Sequence, residues 1–209
     1  VALLDEGKVP LGLDLETVEP VTWDLKKGNL LYLTDKEEQM TQFVKQIARS
    51  KQKVIVLAPA YNELPEMEGV TILSTKEAYV AGIKKMEENI QLRLEQQKSQ
   101  HEATIVLYNQ LELMNDLSMD LQSSLNYVLE KGARAGYATV AMSGSQLNRK
   151  IDEVSKSIKL YKQAIVAMRI TDQSVLNVIN RPVREEPLDS QVNYYVEDGF
   201  VRKVKVLMK

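Results

Sequence analysis

Short apolar runs that alternate with segments of helical periodicity most constrain the fold of this 209-residue chain. Most of the runs lack polar alternation, which is typical of central parallel strands covered on both faces. Residues 75–100 and 117–133 place apolar side chains three and four positions apart, which predicts amphipathic helices. This alternation predicts right-handed βαβ units and an α/β fold with a mainly parallel central sheet flanked by helices. The predicted strands are residues 29–33, 53–57, 70–73, 104–108, 137–142 and 164–168.

The first 28 residues differ in composition from the rest of the chain. They contain prolines at positions 10 and 20 and glycines at positions 7, 12 and 28, which indicates loops and short extended pieces. Pro20–Leu25 is predicted to form a leading β-segment. We therefore expect residues 1–28 to be a lead-in that packs on a domain formed by residues 29–209. The chain begins with valine, which indicates a segment of a longer protein.

The last 20 residues predict a C-terminal β-hairpin. Asp198 and Gly199 lie between two β-rich runs, residues 192–196 and 200–206. An Asp-Gly pair between such runs is a strong hairpin signal, because this dipeptide suits the tight turns that join antiparallel strands. The second run carries several basic side chains, which we expect to protect an edge of the sheet from further pairing.

Composition limits the classes of partner and of chemistry. Apolar residues make up 44% of the chain and charged residues 27%, as in ordinary globular proteins. The formal net charge is −2, which argues against a general nucleic-acid surface. There is no cysteine and His101 is the only histidine, so thiolate chemistry and a histidine-rich metal site are excluded. No apolar run approaches the roughly 18 residues that span a membrane.

The junction after the first predicted strand has the spacing of a phosphate-binding loop but few of its residues. Such a loop reads G-x-x-x-x-G-K-[S/T] between a strand and a helix. On this frame Thr34 replaces the first glycine, Gln39 the second and Met40 the lysine, while Thr41 keeps the hydroxyl. The glycines normally let backbone N–H groups approach phosphate, and the lysine neutralises its charge. The replacements therefore argue for binding or regulation and against nucleotide turnover.

Acidic residues in the same loop oppose a bound triphosphate further. Asp35, Glu37 and Glu38 stand where the phosphates would lie or close by. At about 4 Å, each like-charge encounter costs about 1 to 4 kcal/mol, depending on the effective dielectric. Loss of the lysine removes a charge-assisted contact worth about 1.5 to 3 kcal/mol. Both effects act in the same direction.

An ordinary strand-to-helix junction would explain the same residues. Thr34 and Glu37 have the spacing of a capping box, in which two side chains satisfy the first free N–H groups of a helix. Acidic residues in the first turn also favour the helix dipole. In this alternative the acidic side chains of its first turn stabilise the helix, and the loop does not derive from a nucleotide-binding site.

A second set of residues favours the degenerate nucleotide site. The buried strand at residues 103–108 is followed by Asn109 and Gln110, whereas magnesium and an attacking water need an acidic pair at that position. Amides keep the shape of the acids but lack their charge and basicity. The alternative is that both residues simply open a polar loop. Replacement at both sites, about 70 residues apart, favours a common explanation.

With both sites considered, nearly the whole chain resembles the FtsK/SpoIIIE family of ring-forming motor ATPases. Lys8–Asp14 and Pro20–Leu25 look like the family's lead-in, P-L-G-L-D followed by P-V-x-W-D-L. Asn29–Leu33 stands where the family has the strand before its phosphate-binding loop. Leu129–Tyr137 resembles the arginine-and-glycine approach to the sensor strand. The resemblance implies a P-loop NTPase fold of the RecA/FtsK type.

The resemblance also identifies a third altered element. The family's sensor strand normally ends in a threonine-glutamine-arginine cluster, and here Ser143, Gly144 and Ser145 take those positions. We therefore predict a degenerate nucleotide site without catalytic or metal-ligating residues, and we expect no cofactor, neither ATP nor magnesium. Its residues are Thr34, Asp35, Glu37, Glu38, Gln39, Met40, Thr41, Asn109, Gln110, Gly144 and Ser145.

Within this family the chain is most similar to the last ATPase-like domain of the type VII secretion coupling proteins of Gram-positive bacteria. That similarity implies a cytoplasmic domain of a membrane-anchored protein, with sibling ATPase domains in the same chain and a homo-hexamer of the full-length protein. It also implies small helical secreted proteins of the WXG type as partners, recognised through a C-terminal signal. Nucleic acid is not an expected partner.

These observations lead to one expected function and two alternatives. We expect a catalytically degenerate ATPase-fold domain that acts in substrate recognition or in regulation of export. The first alternative is a weak or partner-activated ATPase, in which Thr41 and a cation from a neighbouring subunit energise protein translocation. The second is DNA translocation, which the fold permits by analogy only and the slightly acidic charge disfavours.

Overall fold

In the computed structural model, residues 7–50 and 52–206 are described, and their strands form a single sheet. The six strands β8-β3-β7-β6-β4-β5 are parallel to one another, whereas β9, β10, β1 and β2 continue the sheet beyond β8 with antiparallel pairing. This arrangement confirms the predicted α/β fold. The strands are β1 (Lys8–Asp14), β2 (Pro20–Asp24), β3 (Leu30–Leu33), β4 (Val54–Leu57), β5 (Val70–Leu73), β6 (Ala103–Leu107), β7 (Tyr137–Ser143), β8 (Gln163–Val166), β9 (Val192–Glu197) and β10 (Phe200–Lys205).

Helices follow most of the parallel strands. Residues 110–116, which had no helical prediction of their own, form a short helix, and the helix predicted over 75–100 ends earlier, where Gln97 takes a left-handed conformation with φ 54°. None of the helices in the described segments combines the length and the apolarity needed to cross a bilayer. The helices are α1 (Glu37–Ala48), α2 (Lys76–Glu95), α3 (Gln110–Asp116), α4 (Met119–Gly132) and α5 (Glu153–Ile158), with 3₁₀ turns at Leu25–Lys27, Ala133–Ala135, Ser145–Arg149 and Ile170–Asp172.

The central sheet is covered on both faces, as its continuous apolar strands predict. On one face α1 buries the stripe Met40, Phe43, Val44 and Ile47 against apolar side chains of β3, β4, β6 and β7. On the other face α2, α4 and α5 pack over the same strands. Helix α1 therefore fixes the loop that precedes it against the carboxyl end of β3.

The N-terminal segment extends the same sheet. Strands β1 and β2 form an antiparallel pair, and β1 pairs with β10 through Leu13↔Lys205 and Asp14↔Val204. At Gly12 an added Cβ would lie 2.2 Å from the carbonyl oxygen of Lys205, so this close approach requires glycine. The boundary at residue 28 stays a prediction. Residues 1–6 and 207–209, at the outer ends of the two predicted ranges, lie outside the described residues.

The C-terminal hairpin is confirmed, but the predicted role of its basic residues is wrong. Strand β10 lies between β9 and β1, and the edges of the sheet in the described residues are β2 and β5. The cations of β10 have other contacts: Arg202 lies 5.2 Å above the ring of Tyr195 and 3.8 Å from the carboxylate of Asp14, and Lys203 lies 5.9 Å from the ring of Tyr194. They therefore cover aromatic side chains of the neighbouring strand.

Candidate functional site

The two predicted halves of the nucleotide site lie at the carboxyl ends of β3 and β6, and β7 separates them. Ser143, the last residue of β7, joins the halves. Its carbonyl oxygen accepts from the backbone N–H of Thr34 at 2.9 Å, and its hydroxyl donates to Oε1 of Gln110 at 2.9 Å. Nε2 of Gln110 donates to Oγ of Ser155 in α5, also at 2.9 Å. Thr34, Gln110, Ser143 and Ser155 are completely buried. A continuous chain of uncharged hydrogen-bonding groups therefore crosses the site.

The start of α1 differs from the predicted capping box. The helix begins at Glu37, and Lys36 stands at the N-cap without a side-chain cap. Thr34 therefore lies two residues too early to cap the helix through the predicted bond. Its hydroxyl instead donates to Oε1 of Gln39 in a short hydrogen bond and accepts from the backbone N–H of Lys36 at 3.1 Å. The capping box is wrong, and Gln39 is the partner that replaces it.

The Asp35 carboxylate connects the loop before α1 to the end of β7 through two hydrogen bonds. Oδ1 of Asp35 accepts from the backbone N–H of Ser145 at 2.8 Å, and Oδ2 accepts from the Ser145 hydroxyl at 2.8 Å. At Gly144, an added Cβ would lie 2.6 Å from Oδ1 of Asp35, so any larger residue there would displace the carboxylate. Glu37 and Glu38 are exposed in the first turn of α1, where their charge favours the helix dipole.

The remaining residues of the loop frame have internal partners. Met40 is 3% exposed and belongs to the core beneath α1. The hydroxyl of Thr41 lies 2.8 Å from the hydroxyl of Tyr108, and it donates to the carbonyl oxygen of Glu37 at 3.3 Å. Burial raises the pKa of Tyr108 to about 12, so its hydroxyl is protonated at neutral pH. The one hydroxyl kept from the phosphate-loop pattern is thus already engaged.

Asn109 and Gln110 diverge at the end of β6. Asn109 adopts the left-handed conformation (φ 47°, ψ 62°), which turns the chain from the strand into α3. Its Nδ2 donates to the hydroxyl of Tyr61 at 2.6 Å, on the side of the exposed loop after β4. Gln110 is the first residue of α3 and is buried. The two residues therefore do not open a polar loop, and the alternative that treated them so is wrong.

The structure brings only some of the predicted site residues into contact with one another. Hydrogen bonds connect Thr34 with Gln39, Asp35 with Ser145, and Gln110 with Ser143. Met40 is in the core, Asn109 contacts a different loop, and Glu37 and Glu38 face solvent.

Sequence reasoning missed three partners of this network: Ser155, Tyr108 and Tyr61. Tyr108 follows directly on β6, so its position next to the predicted site was available as a signal. Ser155 and Tyr61 come from other segments, and no motif marks them.

Comparisons with known proteins agree with this topology. The chain is 25% identical to the type VII secretion system protein EssC of Staphylococcus aureus (strain MRSA252), and the match covers 97% of the chain. The chain spans 14% of the length of that relative. No protein-family model matches the chain.

Solved structures show the same fold. EssC (ATPases 2 and 3) from Geobacillus thermodenitrificans superposes with a TM-score of 0.87 at 18% identity, over 99% of this chain and 42% of that one. The cytoplasmic domain of EssC superposes with 0.80 at 17% identity, over 97% and 44%. Thermomonospora curvata EccC (ATPases 2 and 3), in complex with a signal sequence peptide, superposes with 0.74 at 14% identity, over 97% and 41%.

Proposed function

Because this chain is homologous to EssC and has the fold of EssC's ATPase domains 2 and 3, we propose that it is a catalytically degenerate ATPase-fold domain of a type VII protein secretion motor. In this proposal it acts in substrate recognition or in regulation of export, and it does not turn over ATP. Sibling domains of the same full-length protein would supply the hydrolysis.

The observation that carries the proposal is the closed hydrogen-bond network at the ends of β3, β7 and β6. The polar groups that a nucleotide would need bond instead to one another, as in Thr34 to Gln39 and Asp35 to Ser145. To admit a triphosphate, the loop would have to break these bonds and to accept phosphate oxygens beside the Asp35 carboxylate. Both steps oppose binding.

The residues also do not fit a magnesium-bound nucleotide, which the ATPase fold implies. The position of the phosphate-binding lysine holds Met40, which is apolar and buried. Gln110 is neutral, and its side-chain oxygen and nitrogen are already hydrogen-bonded to Ser143 and Ser155. Thr41 is engaged with Tyr108. These positions therefore offer no cation to the phosphates and no carboxylate to magnesium.

The proposed partners follow from the relatives. One solved EccC structure holds a signal sequence peptide, which supports recognition of WXG-type secreted proteins through their C-terminal signal. The match to the cytoplasmic domain of EssC supports a cytoplasmic position within a membrane-anchored protein. Sibling ATPase domains and a homo-hexamer of the full-length protein complete the proposed assembly. The net charge of −2 supports the exclusion of nucleic acid.

Calorimetry with ATP and magnesium tests the central point. We expect no heat of binding above that of dilution up to about 1 mM nucleotide, which corresponds to a binding free energy weaker than about −4 kcal/mol. The matched control is Thr41→Ala, which removes the remaining hydroxyl of the loop pattern and should give the same null result.

Two outcomes would contradict the proposal. Micromolar binding accompanied by hydrolysis, both lost in Thr41→Ala, would favour the weak or partner-activated ATPase. Hydrolysis that appears only after assembly with sibling domains, and that is lost when Thr41 of this domain is changed, would favour the same alternative. Turnover that survives that change in the assembly belongs to the siblings and agrees with the proposal.

A further inference from the structure

A basic surface with exposed apolar side chains surrounds α5, on the face of the sheet opposite α1. The segment 149–162, which contains α5 and its flanking turns, carries five basic and two acidic residues, a net charge of +3. The neighbouring helix α4 adds Asp120 and Glu130 against Lys131, so the surface keeps a net charge of +2 in a chain of net charge −2. The basic residues of the segment are Arg149, Lys150, Lys156, Lys159 and Lys162.

The two acidic residues of the segment are bonded within the protein. Asp152 is the N-cap of α5, where its carboxylate accepts from a backbone N–H at 2.8 Å. Oε2 of Glu153 accepts from the hydroxyl of Ser123 in α4 at 3.3 Å. Lys156 and Lys162, in contrast, are exposed and form none of the ion pairs among the described residues. The charge that the segment presents to solvent is therefore mainly that of its cations.

Three apolar side chains protrude from the same surface. Ile151 and Leu160 are each 80% exposed, and Met119 is 78% exposed. Nζ of Lys159 donates to the carbonyl oxygen of Lys150 at 2.6 Å, which brings the residue before Leu160 to the residue before Ile151. Side chains that are exposed to this degree stand out from the surface and do not line a groove.

Met119 belongs to this surface because α4 and α5 run side by side in the same direction. Ser123 bonds to Glu153, and one turn further along both helices Asn126 bonds to Ser157. Met119 precedes Ser123 by one turn, on the same face of α4. It therefore lies beside the residues that precede α5.

The composition of this surface favours a lipid bilayer over a protein partner. Lysine is depleted in protein–protein interfaces, and four of the five cations of the segment are lysines. Lysines around apolar side chains are typical of segments that lie on anionic bilayers, since the apolar groups enter the headgroup region and the long lysine stems reach lipid phosphates. A bilayer is fluid, so protruding side chains enter it without a complementary pocket. Salt screens the acidic groups that lie more than about 10 Å away.

From these observations, and resting on the proposed function for a position beside a membrane, we propose that the surface around α5 binds the anionic leaflet of a lipid bilayer. Met119, Ile151 and Leu160 enter the headgroup region, and the lysines of the segment contact lipid phosphates. The contact holds the domain in one orientation relative to the membrane.

Co-sedimentation of the 209-residue chain with lipid vesicles tests the proposal. The anionic vesicles contain phosphatidylcholine with about 30% phosphatidylglycerol, and pure phosphatidylcholine gives the uncharged reference. At about 0.1 M salt we expect the anionic vesicles to bind at least about tenfold more tightly than the uncharged ones. Lys156→Glu combined with Lys162→Glu should raise the Kd for anionic vesicles about twentyfold or more. Ile151→Ser combined with Leu160→Ser should raise it about tenfold.

The matched controls make the same changes at exposed positions outside this surface. Lys26→Glu combined with Lys53→Glu alters the net charge equally, and it should change the Kd by no more than about twofold. Val18→Ser combined with Val183→Ser removes two apolar side chains that are 70% and 99% exposed, and it should leave the Kd unchanged. Because all the changed positions are exposed, circular dichroism should give the melting temperature of the unmodified chain for each variant.

Absence of vesicle binding, or equal binding to anionic and uncharged vesicles, overturns the proposal. An equal loss of affinity in the test variants and the control variants overturns it as well. Binding of double-stranded DNA that competes with the vesicles, and that the lysine variant abolishes, assigns the surface to polyanions in general. Self-association without vesicle binding, lost in the Ile151 and Leu160 variant, assigns the surface to a second copy of the chain, and both of these assignments overturn the proposal. Calorimetry with ATP is independent of all these results, so the proposed function and this proposal fail separately.

Discussion

The two sides of the Gln39 side chain differ in how their polar groups are used. On the side of β7, hydroxyls, amides and the Asp35 carboxylate pair with one another, and the network reaches from α1 to α5. On the side of β9 and β10, amides of the same helix border an apolar cleft and keep unused donors and acceptors. One side of Gln39 is thus closed by internal hydrogen bonds, whereas the other keeps amide groups without hydrogen bonds among the described residues.

Under the proposed function, the closed side indicates how a domain could lose a nucleotide site and keep its fold. Removal of a phosphate leaves backbone and side-chain groups that must find other partners, because buried polar groups without hydrogen bonds destabilise the folded state. Ser143 and Ser145 supply such partners at the end of β7, and Gly144 leaves room for the Asp35 carboxylate.

The strongest test of the closed side is Gln110→Glu, which keeps the side-chain shape and introduces an ionisable carboxyl group at a fully buried position. A protonated glutamic acid can keep both hydrogen bonds, to Ser143 and to Ser155, whereas the carboxylate is buried without a cation partner. Burial should raise the folded-state pKa about two units or more above the unfolded value near 4.3. Stability is then unchanged below about pH 4 and is lost as pH rises toward the folded pKa, by about 3 kcal/mol at pH 8.

Urea unfolding at pH 4 and at pH 8 measures this effect. Gln146→Glu is the matched control, because Gln146 is exposed one residue beyond Ser145, and it should change stability by less than about 0.5 kcal/mol at either pH. Equal stability of Gln110→Glu at both pH values would show that the site tolerates a carboxylate. Stabilisation of this variant by magnesium would show that the site can hold a cation. Either result would contradict a closed, uncharged network around residue 110.

Sequence reasoning predicted the parallel strands because their apolar runs report burial on both faces, a property of each strand alone. It did not predict that β7 separates β3 from β6, because strand order depends on contacts between distant segments. The resemblance placed Ser143 at the end of the sensor strand, but its role as the bridge between Thr34 and Gln110 required the order of the strands.

The errors at α1 and β10 have the same origin. A threonine three residues before a glutamate predicts a capping box wherever a helix starts between them, but Lys36 took the N-cap, and Thr34 bonds to Gln39. Basic residues on a terminal strand predict an edge, but the N-terminal hairpin pairs with β10. In both cases a tertiary contact, invisible in a local pattern, decided the outcome.

Asp35→Ala tests the fastening of the loop to β7, with a smaller expected effect. The carboxylate makes two hydrogen bonds to Ser145 but is exposed, so we expect a loss of about 1 to 1.5 kcal/mol of unfolding free energy. Ser145→Ala keeps the backbone bond and should lose about half as much. Glu38→Ala, an exposed acid of the same region, serves as the control and should lose only a few tenths of a kcal/mol. Asp35→Ala that binds ATP would show that this contact alone excludes nucleotide.

Tyr108→Phe gives the smallest expected effect and separates burial from hydrogen bonding. It removes the hydroxyl contacts with Thr41 and with the carbonyl oxygen of Glu37 but keeps the ring, so we expect a loss of about 0.5 to 1 kcal/mol, because Thr41 keeps its own bond to Glu37. Burial raises the pKa of Tyr108 to about 12, so the unfolded tyrosine ionises first, near pH 10. The contribution of the protonated Tyr108 hydroxyl to the free energy of unfolding is present below pH 10 and is lost between about pH 10 and pH 12. Chemical unfolding at pH 8 and pH 11 measures this contribution. Between these pH values the free energy of unfolding should fall less in Tyr108→Phe than in the unmodified chain. An equal fall would assign the alkaline sensitivity to other buried tyrosines, including Tyr32 and Tyr195.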